Sequence, residues 1–159
     1  MKGLKQLKQA KKGSIVPIYL TIDSDENADL YFKKISDYGR KKNAVLLESA
    51  DIITKYGERS IGSADPCLKI KAKGLKFEIY ALNHLGEKFL HELIEDLDFC
   101  SQITVSKKKI TGILKKQKEV FNEIQRIKKI TTADVLRKVV FKLKPAYKPF
   151  QRYGGLIGT

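Results

Sequence analysis

Two runs of alternating apolar and polar residues on either side of Gly74 constrain this chain more than any other feature of its sequence. Residues 66–73 read PCLKIKAK and residues 75–82 read LKFEIYAL. Because successive side chains of a β-strand point to opposite faces, these runs predict strands that each have one covered face. The glycine between them predicts an antiparallel hairpin. The positions expected on covered faces are Leu68, Ile70, Ala72, Phe77, Ile79 and Ala81.

The other periodic segments favour an α+β fold, with a mostly antiparallel sheet and flanking helices. Apolar positions from residue 28 to 35 recur at helical spacing, and Gly39 is expected to end that helix. The order is strand, helix, several antiparallel strands and then helices, so a parallel doubly wound sheet is not expected. The segment 107–118 fits neither pattern well. Further strands are predicted over 14–22, 43–48 and 99–105, and further helices over 87–97, 119–130 and 131–143.

The composition suits one compact domain outside a membrane. Apolar residues make up 42% of the 159 residues, which is enough for a core, and no run of about 18 apolar residues is present. The amino terminus reads MKGLKQLKQAKKGS and lacks the apolar region of a secretory signal. We therefore expect a cytoplasmic protein with a basic, flexible head over residues 1–13 and a domain over 14–159.

The cysteines and histidines do not form a recognisable site. Cys67 and Cys100 are far apart and belong to no CxxC motif, and His84 and His91 lie near neither of them. Zinc binding and a disulfide are not expected, and the cysteines are interpreted as ordinary, partly buried side chains. Neither histidine has a nucleophile or carboxylate partner visible in the sequence, so no catalytic residue is assigned.

The net charge of +14 is unevenly distributed along the chain. The segment 105–153 holds 15 Lys or Arg and three acidic residues, which gives it a charge of +12. A skew of this kind usually forms a solvated face. Two alternatives stay open: a basic nucleic-acid-binding module, and a surface for an acidic partner protein. The nucleic-acid alternative depends on aromatic residues among basic ones, which are Tyr147, Lys148, Phe150, Arg152 and Tyr153.

Five segments in order resemble the amino-terminal region of the anthranilate synthase large subunit. The first reads AVLLESADI at 44–52, and FEIYALNHLGEKFL at 77–90 matches an alternating strand followed by a turn and a helix. The large subunit of aminodeoxychorismate synthase is a close relative with a similar domain. The remaining segments are ERSIGSADPCLKIKAKG at 58–74, RIKKITTADVLRKVV at 126–140 and KPFQRYGGLIGT at 148–159.

The resemblance implies that this chain is an incomplete fragment of a larger chorismate-binding enzyme, truncated before the catalytic domain. The parent enzyme converts chorismate and ammonia from glutamine to anthranilate in tryptophan biosynthesis. Its catalytic groups and its Mg²⁺ belong to the missing domain, so this chain alone is expected to need no cofactor and to catalyse nothing. A glutamine amidotransferase subunit is an implied partner, whereas membranes and nucleic acid are not.

The resemblance also implies an allosteric site for L-tryptophan, the feedback inhibitor. The matching residues are Leu47, Glu48, Ser49, Arg59 and Ser60. A carboxylate suits the ammonium of an amino acid, a guanidinium suits its carboxylate, and hydroxyls suit either group. The alternative is that Glu48 and Arg59 form an ordinary exposed salt bridge, which contributes about 0–1 kcal/mol.

Overall fold

The computed structural model describes residues 2–11, 14, 16–48, 60–116, 122–123 and 129–142. These residues form two compact units, the first comprising residues 2–19 and 67–142 and the second comprising residues 20–66. The described helices are α1 (Leu4–Gln9), α2 (Ala28–Ile35), α3 (His84–Leu93) and α4 (Thr132–Lys142). The described strands are β1 (Val45–Glu48), β2 (Ser60–Ser63), β3 (Leu68–Lys73), β4 (Lys76–Ala81), β5 (Cys100–Ser106) and β6 (Lys109–Leu114). This α+β architecture confirms the predicted fold class.

The first unit contains a four-stranded antiparallel sheet in the order β3-β4-β6-β5. The predicted hairpin is confirmed, because β3 and β4 pair with Ile70 opposite Ile79 and Gly74 turns the chain with a φ of 60°. Phe77 and Ile79 are fully buried, as the alternation predicts. Ala72 is exposed, so the prediction of a covered position is wrong there. It lies beside the turn on an edge strand, which has a neighbouring strand on one side only.

Helices α3 and α4 supply the other side of the first unit's core. Leu90 and Leu93 of α3 and Val135 and Val139 of α4 are buried at helical spacing. The sheet contributes every second residue of β4 and β6, as its pleat requires. The buried apolar residues together are Phe77, Ile79, Leu90, Leu93, Leu97, Ile110, Leu114, Val135 and Val139.

Asn83 sets the start of α3. Its side-chain oxygen accepts a hydrogen bond from the backbone N–H of Gly86 at 3.0 Å, which satisfies one unpaired donor of the first turn. The helix therefore begins at His84, three residues before the predicted start at 87. The end of the predicted helix is a short 3₁₀ helix, Ile94–Asp96.

Asp134 caps the amino end of α4, whose predicted start is confirmed to within one residue. Its carboxylate accepts a hydrogen bond from the backbone N–H of Thr131 at 2.7 Å and one from the Thr131 hydroxyl at 3.2 Å. Arg137 donates to the other carboxylate oxygen at 2.5 Å. The backbone hydrogen bond, followed by the Arg137 interaction, lowers the pKa of Asp134 below its ordinary value of 3.8.

We expect Asp134→Ala to lower the free energy of unfolding by about 0.5–2 kcal/mol at neutral pH, because a helix cap is lost. A carboxyl whose pKa is lower in the folded state stabilises the protein above its unfolded-state pKa. This stabilisation is lost as the pH falls through the folded-state pKa. The difference in free energy of unfolding between wild type and variant should therefore narrow below pH 3.8. Urea unfolding at several pH values measures this gap. Asp98→Ala, at an exposed turn position, is the control and should leave the stability nearly unchanged. Equal stability of Asp134→Ala and wild type at pH 7 would contradict the role of Asp134 as a helix cap.

Three predicted segments have other outcomes. The strand over 14–22 is wrong for its described residues, which form only an isolated bridge between Lys2 and Tyr19. Pro17 lacks an N–H for a ladder, and Leu20 and Ile22 are each 61% exposed, so the apolar side chains at the end of this segment are not covered. The strand β6 lies within 107–118, a segment that fits neither periodic pattern well. Most of the predicted helix 119–130 and all of 143–159 lie outside the described residues.

The basic head contains α1, whose leucines Leu4 and Leu7 are about half exposed. No helix in the described part of the chain combines the length and the apolar character that crossing a membrane requires.

Candidate functional site

The second unit is built around the antiparallel hairpin of β1 and β2. Its register sets Leu46 opposite Gly62, Leu47 opposite Ile61 and Glu48 opposite Ser60. Paired residues share a face and successive pairs alternate between faces. A methyl group on Gly62 would lie 3.4 Å from Phe32 of α2, so the face with Leu46 and Gly62 is the one against α2.

Local interactions determine where α2 begins and ends. Asn27 accepts a hydrogen bond from the backbone N–H of Leu30 at 3.1 Å, which caps the helix. Lys33 and Asp29 form an i,i+4 ion pair at 2.7 Å, and the hydrogen bond with Asp29 raises the pKa of Lys33. After the last turn, the buried hydroxyl of Ser36 accepts from the backbone N–H of Gly39 at 3.2 Å. The chain then returns towards β1.

Two of the five predicted tryptophan-site residues are direct cross-strand partners. Glu48 and Ser60 form the last described pair of the hairpin, and both are exposed. Leu47 belongs to the other face, where it pairs with Ile61 and is 42% exposed. Ser49 and Arg59 lie outside the described residues, so their part in the site stays a prediction.

The polar and apolar residues of the predicted site lie on opposite faces of the hairpin: Glu48 and Ser60 on the face against α2, and Leu47 on the other face. The Glu48–Ser60 pair shares its face with Gly62, and that face is the one lined by Phe32 and Ile35 of α2. A carboxylate and a hydroxyl on adjacent strands offer two acceptors and one donor to a small polar ligand. Apolar contacts to such a ligand would come from α2 on this face. Because Leu47 lies on the other face, it could contact the ligand only around the end of the strand.

The cysteines and histidines behave as ordinary side chains. Cys67 and Cys100 are partly buried, as expected, and burial raises the pKa of the Cys100 thiol. His84 is 78% exposed at the first position of α3, where its Nδ1 lies 3.8 Å from the Glu87 carboxylate. His91 is exposed in the last turn of α3. Among the described residues, no three His, Cys, Asp or Glu side chains gather as a metal-binding group.

A second polar cluster lies on the first unit's sheet, on the face away from α3 and α4. Tyr80 donates a hydrogen bond to Glu78 at 2.6 Å, and Lys109 of β6 pairs with the same carboxylate. These bonds lower the pKa of Glu78, with Lys109 as the larger cause, and the Glu78 bond raises the pKa of Lys109. The Lys109 and Lys71 ammonium groups also lie 4.9 and 5.5 Å from the centre of the Tyr80 ring.

Sequence reasoning did not single out this cluster. The alternation of 66–82 predicts which side chains share the uncovered face, but it does not show that β6 adds Lys109 beside Tyr80. The residues on which the nucleic-acid alternative was based, in the segment 147–153, lie outside the described residues.

Comparison with known proteins adds no family assignment. No protein-family model matches the chain, and no curated protein matches it either. The anthranilate synthase resemblance therefore rests on the five sequence segments alone.

Proposed function

We propose that this chain is the amino-terminal, regulatory part of an anthranilate synthase large subunit and that its β1–β2 hairpin binds L-tryptophan. The observation that carries the proposal is the pairing of Glu48 with Ser60, which are twelve positions apart in sequence and opposite each other in the register. Both belong to segments that resemble the large subunit. A cytoplasmic location and an amidotransferase partner go with this proposal.

The chemistry of the pair suits an amino acid. The Glu48 carboxylate at an exposed strand end suits an ammonium group, and the adjacent Ser60 hydroxyl accepts or donates one hydrogen bond. Phe32 and Ile35, on the helix beside this face, offer apolar surface to an indole ring. Leu47 and Ile61, on the other face, would contact the ligand only at the strand end. Arg59 and Ser49 are the predicted partners of the ligand's carboxylate.

The test uses the absence of tryptophan from this chain. Titrating the full chain into L-tryptophan should shift the indole emission to the blue and raise its anisotropy, in a saturable way. Glu48→Gln should weaken binding by about 1.5–3 kcal/mol, or roughly 10- to 150-fold, since a hydrogen bond to a charged group is lost. Glu26→Gln is the matched control, because this exposed carboxylate pairs with Lys34 at 2.7 Å, outside the hairpin.

Two ligand analogues identify the group that Glu48 contacts. Indole-3-propionate lacks the ammonium, so Glu48→Gln should no longer weaken its binding. Tryptamine keeps the ammonium, so the penalty should remain. Ser60→Ala should weaken the binding of L-tryptophan, indole-3-propionate and tryptamine alike, by about 0.5–1.5 kcal/mol, because each loses a hydrogen bond to the hydroxyl. An absence of saturable binding up to millimolar L-tryptophan, or an equal loss in Glu48→Gln and Glu26→Gln, would refute the proposal.

The relative from the folate branch provides a second candidate with the same site. In the aminodeoxychorismate synthase large subunit, tryptophan can serve as a structural ligand instead of a regulator. A structural ligand should remain bound through purification and exchange slowly, whereas a regulatory ligand should exchange within the time of a titration. Measuring tryptophan in the purified, denatured chain distinguishes the two candidates.

A further inference from the structure

The face of the first unit's sheet that points away from α3 and α4 concentrates positive charge. Side chains of β3, β4 and β6 that point away from α3 and α4 form three cross-strand rows, and β5 extends each row with an uncharged polar residue. The charged members comprise five lysines and one carboxylate, a net excess of four positive charges. We name this surface the lysine face; its charged residues are Lys69, Lys71, Lys73, Lys76, Lys109 and Glu78.

The sheet brings like charges together on this face. Lys73 and Lys76 are direct partners in the register, and like charges that face each other across two strands destabilise a sheet. Lys71 faces Glu78, but that carboxylate already pairs with Lys109 and accepts a hydrogen bond from Tyr80. An anion lying along β3 and β4 would relieve the repulsion between the paired lysines.

The residue types on the lysine face indicate the class of anion. Interfaces between proteins are depleted in lysine and have an apolar centre, whereas those with nucleic acid are polar and strongly positive. Among the paired residues of this face, Ile113 is the one aliphatic side chain and Tyr80, on β4, is the one aromatic side chain. Other members donate or accept hydrogen bonds without charge: Gln102, Thr104, Ser106 and Thr111.

We propose that the lysine face binds single-stranded nucleic acid, with its lysines on phosphates and Tyr80 beside a base. Lysines on β3 recur at every second residue, about 6.6–6.8 Å apart, and so form a row along which a phosphodiester chain can lie. Aromatic rings flanked by basic side chains are the usual stacking positions for unpaired bases. The exposed Lys71 ammonium, now 5.5 Å from the ring centre, can turn to a phosphate and leave the ring to a base.

The test measures binding of the full chain to fluorescein-labelled twelve-nucleotide oligothymidylate and oligouridylate by anisotropy, between 50 and 200 mM KCl. With a slope of about −0.7 per phosphate contact, four to five lysines predict a log–log slope of roughly −3. Replacing Lys69, Lys71 and Lys73 together by Gln should make the slope shallower by about 2. Tyr80→Leu should weaken binding about fivefold or more at every salt concentration without changing the slope, and Tyr80→Phe should not.

A matched control removes the same charge from elsewhere. Lys5, Lys8 and Lys88 are exposed helical lysines, and replacing all three by Gln should change the affinity and slope little. Gln102→Glu and Thr104→Glu add negative charge to the lysine face without removing a lysine, and each should weaken binding. Far-UV circular dichroism checks that each variant folds.

The outcomes separate this proposal from its competitors. Equal losses in the two triple variants would mean that net charge alone attracts the oligonucleotide, and the proposal would fail. Tighter binding of a polyglutamate peptide than of an oligonucleotide of equal charge would identify an acidic protein as the partner, and would also overturn it. The test involves no tryptophan and no residue of the second unit, so it stands or falls apart from the proposed regulatory function.

Discussion

Leu93→Ala should lower the free energy of unfolding by about 2–5 kcal/mol. Leu93 is fully buried in α3 and belongs to the cluster that joins this helix to the sheet and to α4. Truncation removes apolar contacts and leaves a cavity that close-packed neighbours fill only in part. Urea unfolding monitored by far-UV circular dichroism measures the loss as a lower midpoint with an unchanged slope.

The same substitution on the same helix provides the control. Leu85 is 66% exposed in the first turn of α3, so Leu85→Ala should change the free energy of unfolding by less than about 0.5 kcal/mol. Helix propensity does not separate the two variants, because both replace leucine with alanine inside one helix. Similar losses in the two variants would show that α3 does not pack on the sheet through Leu93.

Periodicity predicted those parts of the fold in which a single covered face determines the structure. The alternation around Gly74 was enough for the hairpin of β3 and β4, because a shift of one residue would expose Phe77 and Ile79. The helical spacing of Val135 and Val139 was equally informative for α4. In these segments the local pattern and the tertiary packing agree.

Periodicity failed where local residues and tertiary packing disagree. Residues 14–22 are rich in β-branched side chains, yet Leu20 and Ile22 remain exposed, and the described residues of this segment form an isolated bridge at Tyr19 instead of a strand. The strand β6 has the opposite character, since it begins on the last of three consecutive lysines and contains Gly112 but lies between two other strands. Its burial alternates along its length, which depends on the partners β4 and β5 and not on its own composition.

The candidate tryptophan site was predicted from resemblance, and the hairpin register adds what the sequence could not. Spacing alone does not show that Glu48 and Ser60 are partners, because residues 49–59 separate their strands. Alternation does imply that neighbours on a strand face opposite sides, so Leu47 and Glu48 cannot both point at one ligand from β1. The apolar residues on the Glu48 side, Phe32 and Ile35, come from α2 and were not among the predicted site residues.

The location of the positive charge was only half visible in the sequence. Counting along the chain assigns the excess to 105–153, whereas four lysines of the lysine face come from residues 69–76, in the nearly balanced half. A count along the sequence adds up both faces of a strand. The pleat separates them, so the lysines of β3 share one face and its apolar residues share the other.

Gly112→Ala should be destabilising through Phe77, by about 1–3 kcal/mol. Gly112 and Phe77 are cross-strand partners on the covered face, and a methyl group at residue 112 would overlap the Phe77 ring. Phe77→Ala alone should cost about 3–5 kcal/mol, because the largest buried side chain is lost. The double variant should cost about as much as Phe77→Ala, since the methyl group then enters space that the ring has left.

The coupling between these two positions is what distinguishes steric overlap from a general intolerance of alanine in β6. If the overlap is the cause, the double-mutant cycle gives an interaction energy about equal to the cost of Gly112→Ala. Gly62→Ala is the matched control, because this strand glycine also faces a phenylalanine but leaves 3.4 Å to Phe32, an ordinary contact. We expect it to cost less than about 1 kcal/mol. Additive losses at Gly112 and Phe77 would mean that the ring does not lie over the glycine, and the register of β4 and β6 would then have to differ.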